Sequence, residues 1–350
     1  MEEIRPKTAW LTVNRGCNLR CQWCYAQGTE YRNDQQMDLN LACQLLELIG
    51  NLGIQNFLLI GGEPTLWTPL LEFNRYCVSA SIKQTLVTNT LRFGNDRFWD
   101  AYQDAPNTNL GISVKASNLG ELKRVARSNQ FAILAKGLVR AVSMFRCGVG
   151  VTYNTFYTDT LIDMAKFVMD CGASSLKLDF CSTSFVNGKP SDKFMVSPKE
   201  IVANILRDYQ SLVEITEGRI TFEMNMPLCL WPHEFIQELI NCKRMISVCH
   251  VHKRRGVIFD TDGRLIMCNG LFDYPLGQFG TDFADAEGLI KYLNQPEVLE
   301  MYEHIGSYPS TECVSCPDYL ICGGGCPLKW AVYRPEELIR PQTLTGVSSL

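Results

Sequence analysis

Between Ala9 and Phe180 the chain sets short apolar or alternating runs between longer stretches whose apolar residues recur every three or four positions. That succession is the pattern of parallel strands joined by crossover helices. Strands are predicted at Ala9 to Val13, Phe57 to Ile60, Gln84 to Thr88, Leu110 to Val114, Gly148 to Tyr153 and Ser175 to Phe180. Between the first two, Leu39, Ala42, Leu46, Ile49 and Leu52 keep helical spacing, and Gly53 follows as a left-handed stop. Thr160 to Cys171 repeats the pattern and stops at Gly172, while Ser197-Pro198-Lys199-Glu200 has the spacing of a capping box with proline at the first helical position. Six such units, the last helix ending near Glu214, predict an α/β fold in the form of a partial (β/α)6 barrel.

Beyond residue 215 the pattern changes to a cysteine-spaced segment without sustained periodicity, opened by Pro227, Cys229 and Pro232. The expected organisation is a barrel over 1–215, a small cysteine-rich domain over 216–340 and an unstructured tail over 341–350. Val257-Ile258-Phe259 and Leu265-Ile266-Met267 flank Asp262-Gly263, a pairing that favours a tight hairpin with Cys268 on its exit side. Phe222, Met224, Met226, Leu230 and Trp231 offer either an apolar surface for a peptide or the interface between the two parts.

Charge narrows the partners. With 33 basic and 37 acidic residues the net charge is −4, and no block of Lys and Arg would track phosphates, which argues against nucleic acid. Met1 to Ala9 carries Glu2, Glu3, Arg5 and Lys7 and no apolar stretch, so neither a signal peptide nor a membrane span is expected there, and the reading is a cytoplasmic protein. In a reducing compartment, 16 cysteines in a chain of 350 residues point to metal ligands rather than disulfides. Cys17, Cys21 and Cys24 lie together, and seven more fall between Cys242 and Cys326.

Cys17-Asn18-Leu19-Arg20-Cys21-Gln22-Trp23-Cys24 has the spacing C-x3-C-x2-C on the loop after the first strand. Three thiolates so close can ligate three irons of a 4Fe-4S cluster and leave the fourth without a protein ligand. A structural zinc site normally closes with four ligands, and this loop supplies no fourth. The spacing, with aromatic Trp23 just before the last cysteine, resembles the radical S-adenosylmethionine (SAM) superfamily. Gly61-Gly62-Glu63-Pro64, after the second strand, resembles that family's segment for holding the methionine amino group, with glycines for close approach and Glu63 as an acceptor. The resemblance implies reductive cleavage of S-adenosylmethionine to a 5'-deoxyadenosyl radical that abstracts hydrogen from a substrate C–H.

Strand alternation extends the candidate site. It turns Ser113 and Lys115 inward on the fourth strand, Thr152 and Asn154 on the fifth, and closes the third with Thr88 and Asn89. These are candidates for ribose or methionine carboxylate contacts, and equally for hydrogen bonding within the barrel. On the last strand Lys177, Asp179 and Cys181 point inward, and an inward Cys181 thiol could donate a hydrogen atom to a radical, the alternative being a small buried hydrophobe.

Cys313, Cys316, Cys322 and Cys326 form C-x2-C-x5-C-x3-C, and Cys249 precedes Gly263 and Cys268 in a G-x4-C arrangement. Together they resemble the SPASM domain found behind many radical SAM enzymes, with a zinc ribbon as the structural alternative. The resemblance implies one or two auxiliary 4Fe-4S clusters, Cys249, Cys268 and Cys326 holding the first and Cys313, Cys316 and Cys322 the second. Cys242 is the expected further ligand of the first, with Cys229 in reserve. No cysteine follows Cys326, so the second cluster's fourth ligand is open among Cys229, an oxygen ligand such as Glu336 or Glu337, a substrate, or none.

Enzymes that this architecture resembles mostly modify peptides or proteins, ribosomally made precursor peptides being the largest group, by crosslinking, epimerisation, decarboxylation or excision of a backbone fragment. The expected partners are such a peptide, a separate small leader-binding protein and a flavodoxin- or ferredoxin-type reductant. A sulfatase-type formylglycine-generating maturase and a non-catalytic iron-sulfur electron carrier are the alternatives.

Overall fold

A computed structural model of the chain describes residues 3–186, 188–247 and 249–340. The expected tail, 341–350, lies outside the described residues. All six expected strands form, each within a residue of its expected bounds: β1 (Thr8–Thr12), β2 (Asn56–Ile60), β3 (Lys83–Thr88), β4 (Asn109–Ser113), β5 (Val149–Tyr153) and β6 (Leu176–Phe180). They are parallel neighbours in chain order. Period-2 alternation decides which face meets the helices: Leu11, Leu59, Leu86, Ile112, Val151 and Leu178 are buried beneath them. Each such side chain contributes about 1.5–3 kcal/mol by leaving water. Ser113, Thr152, Lys177 and Asp179 lie on the opposite face, where each is half-buried.

The predicted helices appear at Leu39–Asn51, Leu161–Asp170 and Pro198–Ile215. Gly53 and Gly172 follow the first two with φ of +79° and +93°, the left-handed stops their glycines permit. Ser197 caps the third, its side chain accepting from the Glu200 N–H at 3.3 Å. A short hairpin, β7 (Ser184–Val186) with β8 (Lys189–Ser191), precedes that helix.

The sheet runs on past residue 215. β9 (Ile220–Glu223) pairs in parallel with β6, and β10 (Met245–Ile246) with β9. At the other edge β11 (Gly256–Phe259) pairs in parallel with β1, then turns back antiparallel into β12 (Arg264–Ile266) and β13 (Pro275–Gln278). The result is one eleven-stranded sheet whose two edges are both built from the later part of the chain. The predicted hairpin is β11–β12, with Gly263 at φ +84° and its N–H donating to the Asp260 carbonyl at 2.9 Å.

Of the two readings open for one apolar cluster, burial selects the interface. Phe222, Met224, Met226, Leu230 and Trp231 are at most 6 % exposed, so they are core between the barrel and the cysteine array and present no surface to a peptide. The sequence left both readings open because an apolar cluster looks alike whether it faces a partner or a neighbouring element of its own chain.

Candidate functional site

The loop leaving β1 carries Cys17, Cys21 and Cys24 at the end of the sheet where β2 delivers Gly61–Pro64 and β3 delivers Thr88 and Asn89. The two loops are laced together. Gly62 N–H donates to the Asn14 carbonyl and Glu63 N–H to the Gly16 carbonyl, each at 2.8 Å, and the Asn14 amide returns a bond to the Glu63 carbonyl at 2.9 Å. A Cβ on Gly62 would stand 2.3 Å from the Gly16 carbonyl oxygen and 2.4 Å from that of Arg15. The glycines therefore serve first to bring this loop against the one bearing the thiols.

Glu63 ties its own loop to β3. Its buried carboxylate accepts from Thr88 Oγ1 at 2.6 Å, Thr65 Oγ1 at 2.7 Å, Asn89 N–H at 2.8 Å and Thr65 N–H at 3.2 Å. Three of these bonds go to one oxygen and one to the other, so the carboxylate organises the loop. Asn154 is likewise engaged within its own turn. It is fully buried, donating to the Thr152 carbonyl and accepting from the Phe156 N–H, each at 2.9 Å, which makes it the pin of the turn after β5.

The three thiols lie within electrostatic reach of one another. Burial pushes Cys17 up to about 12 and Cys21 up to about 11, so both are neutral thiols at pH 7 until a metal displaces the protons. Groups that favour the thiolate stand ready: Leu19 N–H donates to Cys17 Sγ at 3.4 Å, the Asn89 amide approaches the same sulfur at 4.0 Å, and Lys115 faces Cys21. Among the described residues no three His, Cys, Asp or Glu side chains are drawn together as around a single ion. Three thiols spread over one loop, with amide donors at the sulfur of Cys17, fit a larger, sulfur-bridged group.

Below this loop the inner face of the sheet is polar. Lys115 Nζ bonds Ser113 Oγ, Thr152 Oγ1 donates to Asp179 at 3.2 Å, and Lys177 pairs with Glu223 of β9. Burial, then the charge of Glu223, push the Asp179 carboxyl up to about 6, and its second oxygen has no protein partner. Cys181 follows β6 as a buried thiol pushed up to about 11 by burial, and its carbonyl accepts from Lys329 Nζ at 3.3 Å.

The later cysteines fall into two groups. Cys249, Cys268 and Cys326 are within electrostatic reach of one another, Cys268 pushed up to about 12 by burial and receiving the Gly270 N–H at 3.4 Å. Cys313, Cys316 and Cys322 line a separate cavity of about 220 Å³ together with Cys229. Gly323, Gly324 and Gly325 have φ of +58°, +74° and +80°, and this left-handed run lets the chain leave Cys322 in one group and deliver Cys326 to the other. Cys242 joins neither. It ends the helix His233–Asn241 as an exposed residue, and β10 runs between it and Cys249. Its expected place in the first group is corrected on that ground.

Sequence reasoning missed Lys329 altogether. It is 1 % exposed and lies within electrostatic reach of Cys326 and Cys181. The only available signal was a lysine three positions after the last cysteine of the array, and exposed lysines are far commoner than buried ones.

Residues 11–170 match the model of the radical SAM superfamily. The chain carries a domain of that superfamily, a superfamily of enzymes, and the domain implies S-adenosylmethionine and a 4Fe-4S cluster. Among curated proteins it is 30 % identical over 168 residues to a GTP 3',8-cyclase of Haemophilus ducreyi, covering 45 % of this chain and 47 % of that protein. A GTP 3',8-cyclase of Aquifex aeolicus is 26 % identical over 213 residues, covering 59 % of this chain and 66 % of that one. The chain thus spans about half to two thirds of the length of these relatives. Among solved structures, Streptococcus suis SuiB bound to precursor peptide SuiA superposes with a TM-score of 0.68 at 16 % identity, over 97 % of this chain and 76 % of SuiB. AnSMEcpe with bound AdoMet gives 0.67 at 16 % identity, over 92 % and 89 %. These two likenesses establish the fold of the whole described chain, array included.

Proposed function

We propose that this protein is a radical SAM maturase of a ribosomally made precursor peptide. The observation that carries the reading is the fold likeness over nearly the whole chain, cysteine array included, to SuiB bound to precursor peptide and to anSMEcpe, which has also been solved with a bound peptide. Cys17, Cys21 and Cys24 hold the first 4Fe-4S cluster, and the two later groups hold auxiliary clusters. Bound there, the cluster and S-adenosylmethionine supply a 5'-deoxyadenosyl radical that takes hydrogen from the peptide. Gly61, Gly62 and Pro64 present the loop backbone to the methionine end while Glu63 keeps it in place. Ser113, Lys115, Thr152 and Asp179 supply polar contacts along the inner face, and the buried Cys181 thiol is offered as a hydrogen donor. A separate leader-binding protein and a flavodoxin- or ferredoxin-type reductant complete the system, working in the cytoplasm. No helix among the described residues is long and apolar enough to cross a membrane.

A second reading is kept by the curated relatives: action on a purine nucleotide. It rests on matches confined to about half of this chain. The test is co-expression with a short peptide encoded beside the gene, with peptide masses compared against a Cys21→Ala control, and a parallel incubation of the reduced enzyme with GTP. A peptide mass change that needs Cys21 supports the maturase. GTP consumption with an unaltered peptide overturns it.

A further inference from the structure

The cavity of the second cysteine group is closed from an unexpected side. Its lining contains four thiols, those of Cys229, Cys313, Cys316 and Cys322. Three belong to one short run near the C-terminal end. Cys229 belongs to the turn Leu228–Leu230, between β9 and the helix His233–Asn241. Two further contacts fasten that turn over the group. Leu228 N–H donates to Cys322 Sγ at 3.3 Å across 94 positions of sequence, and the backbone N–H of Arg340 reaches the Cys229 sulfur. Cys229 stands within electrostatic reach of Cys313, Cys316 and Cys322 alike.

We propose that Cys229 is the fourth protein ligand of the second auxiliary cluster, supplied from upstream of the array rather than from downstream of it. This rests on the reading of the array as an iron-sulfur domain. The other candidates fare worse on position. Glu336 and Glu337 do not line the cavity, and Glu337 accepts the Arg334 N–H at 2.6 Å as the cap of its own short helix. Glu312 and Asp318 do line it, but a thiolate is the softer and better ligand for iron-sulfur clusters. The N–H donors at Cys229 and Cys322 are the kind of outer contact that stabilises a metal-bound thiolate. The arrangement has a structural consequence. The turn that carries Cys229 follows β9, a strand paired within the barrel sheet, so a cluster ligated there would tie barrel and array by a covalent path.

The test uses the full chain with Cys17, Cys21 and Cys24 replaced by Ala, so that only auxiliary clusters take up iron on anaerobic loading. Iron, sulfide and zinc are counted, and Mössbauer and EPR spectra are recorded. This parent is expected to hold two clusters, about eight irons per chain. Adding Cys229→Ala should lower the iron, by up to about half, or convert one cluster to a three-iron form, while the other cluster's signal persists and reports a folded chain. Cys229→Ser should restore part of the lost iron. Adding Cys242→Ala instead should change nothing. A two-cluster parent whose count and spectra are unaltered by Cys229→Ala overturns this inference alone, as does loss of iron with Glu312→Gln or Asp318→Asn but not with Cys229→Ala. A parent that takes up zinc, or no metal, overturns the cluster reading and this inference with it.

Discussion

Lys329 Nζ donates to the carbonyl of Cys181 at 3.3 Å, joining the end of the cysteine array to the last strand of the barrel. The ammonium is buried, and burial lowers its pKa against the opposing pull of the nearby Cys326 and Cys181 thiols. A buried cation needs a partner charge. In the cluster-free protein the hydrogen bond of this ammonium goes to a neutral carbonyl rather than to a carboxylate, so Lys329→Met should leave the melting temperature unchanged or raise stability by about 1 kcal/mol. In the loaded protein the same substitution removes a positive charge beside a cysteine of the first auxiliary group, so that cluster's reduction potential should become more negative. Calorimetry of the one and redox titration of the other check the pair, and an unaltered potential would sink the idea.

Glu63 is held by four donors, and its carboxylate is what makes that arrangement work. Glu63→Gln would turn an amide N–H₂ toward hydroxyls and backbone N–H groups that can only be partly satisfied by it. The cost of unsatisfied buried partners is about 1–3 kcal/mol each. Denaturant unfolding should show a loss of about 2–3 kcal/mol. A loss below 1 kcal/mol would mean that the carboxylate is free to turn outward after all.

Gly62 and Gly53 separate close approach from helix termination. Gly62→Ala sets a methyl into two carbonyl oxygens of the thiol-bearing loop, whereas Gly53 has nothing within 4 Å of its would-be Cβ and only a strained φ. Iron content at the first cluster should fall several-fold in Gly62→Ala and stay near wild type in Gly53→Ala, which loses only about 1 kcal/mol of stability. Equal iron in both would leave the loop-to-loop contact without a role.

Strand positions were legible to within a residue because each barrel strand alternates over five or six positions and is bounded by helical periodicity. β9 and β10 were not, since four and two residues are too few to establish a period. Nor could β11 be assigned to β1: Ala9 and Val257 meet across 248 positions of sequence, and pairing at that separation leaves no local mark. The SPASM resemblance, not spacing, sorted the thiols as far as Cys249, Cys268 and Cys326 against Cys313, Cys316 and Cys322, since by spacing alone Cys326 belongs to the second run. Cys242 and Cys229 did not, because neither belongs to a close-spaced run and only the fold decides which one faces a cavity. Glu63 and Asn154 were legible as polar residues at strand ends, but whether such a residue turns to a ligand or to its own loop depends on donors brought by other strands.

Asp179 gives the site a pH dependence. Its carboxyl is raised to about 6, by burial first and then by Glu223. A carboxyl raised on folding favours the native state while protonated, so that its contribution is full below the ordinary carboxylate value and is lost as pH rises through about 6. Wild type should therefore lose about 1–2 kcal/mol between pH 5 and pH 7.5 relative to Asp179→Asn, measured by urea unfolding at each pH. Parallel pH curves for the two proteins would place the carboxyl in water rather than against the inner face.

Arg15 and Asp260 form an ion pair whose side chains are 4 % and 1 % exposed. Arg15 is in the loop after β1, two residues before Cys17, and Asp260 follows β11, the strand that the cysteine-rich part lends to the barrel sheet. Asp260 also accepts from Thr261 N–H at 2.7 Å and Arg264 at 3.4 Å, and the Arg15 guanidinium lies 5.3 Å from the Phe272 ring centre. Removing one member of such a pair leaves the other charge buried, at a cost of about 3–5 kcal/mol, whereas replacing both costs far less. Asp260→Asn should thus destabilise by that amount, and Arg15→Met with Asp260→Asn should recover most of it. Because the pair fixes the root of the thiol loop against the hairpin, the single variant should also bind less iron at Cys17, Cys21 and Cys24, and the double variant should not regain it. Recovery of stability without recovery of iron would separate the two roles of the pair. Recovery of both would reduce it to a matter of charge balance.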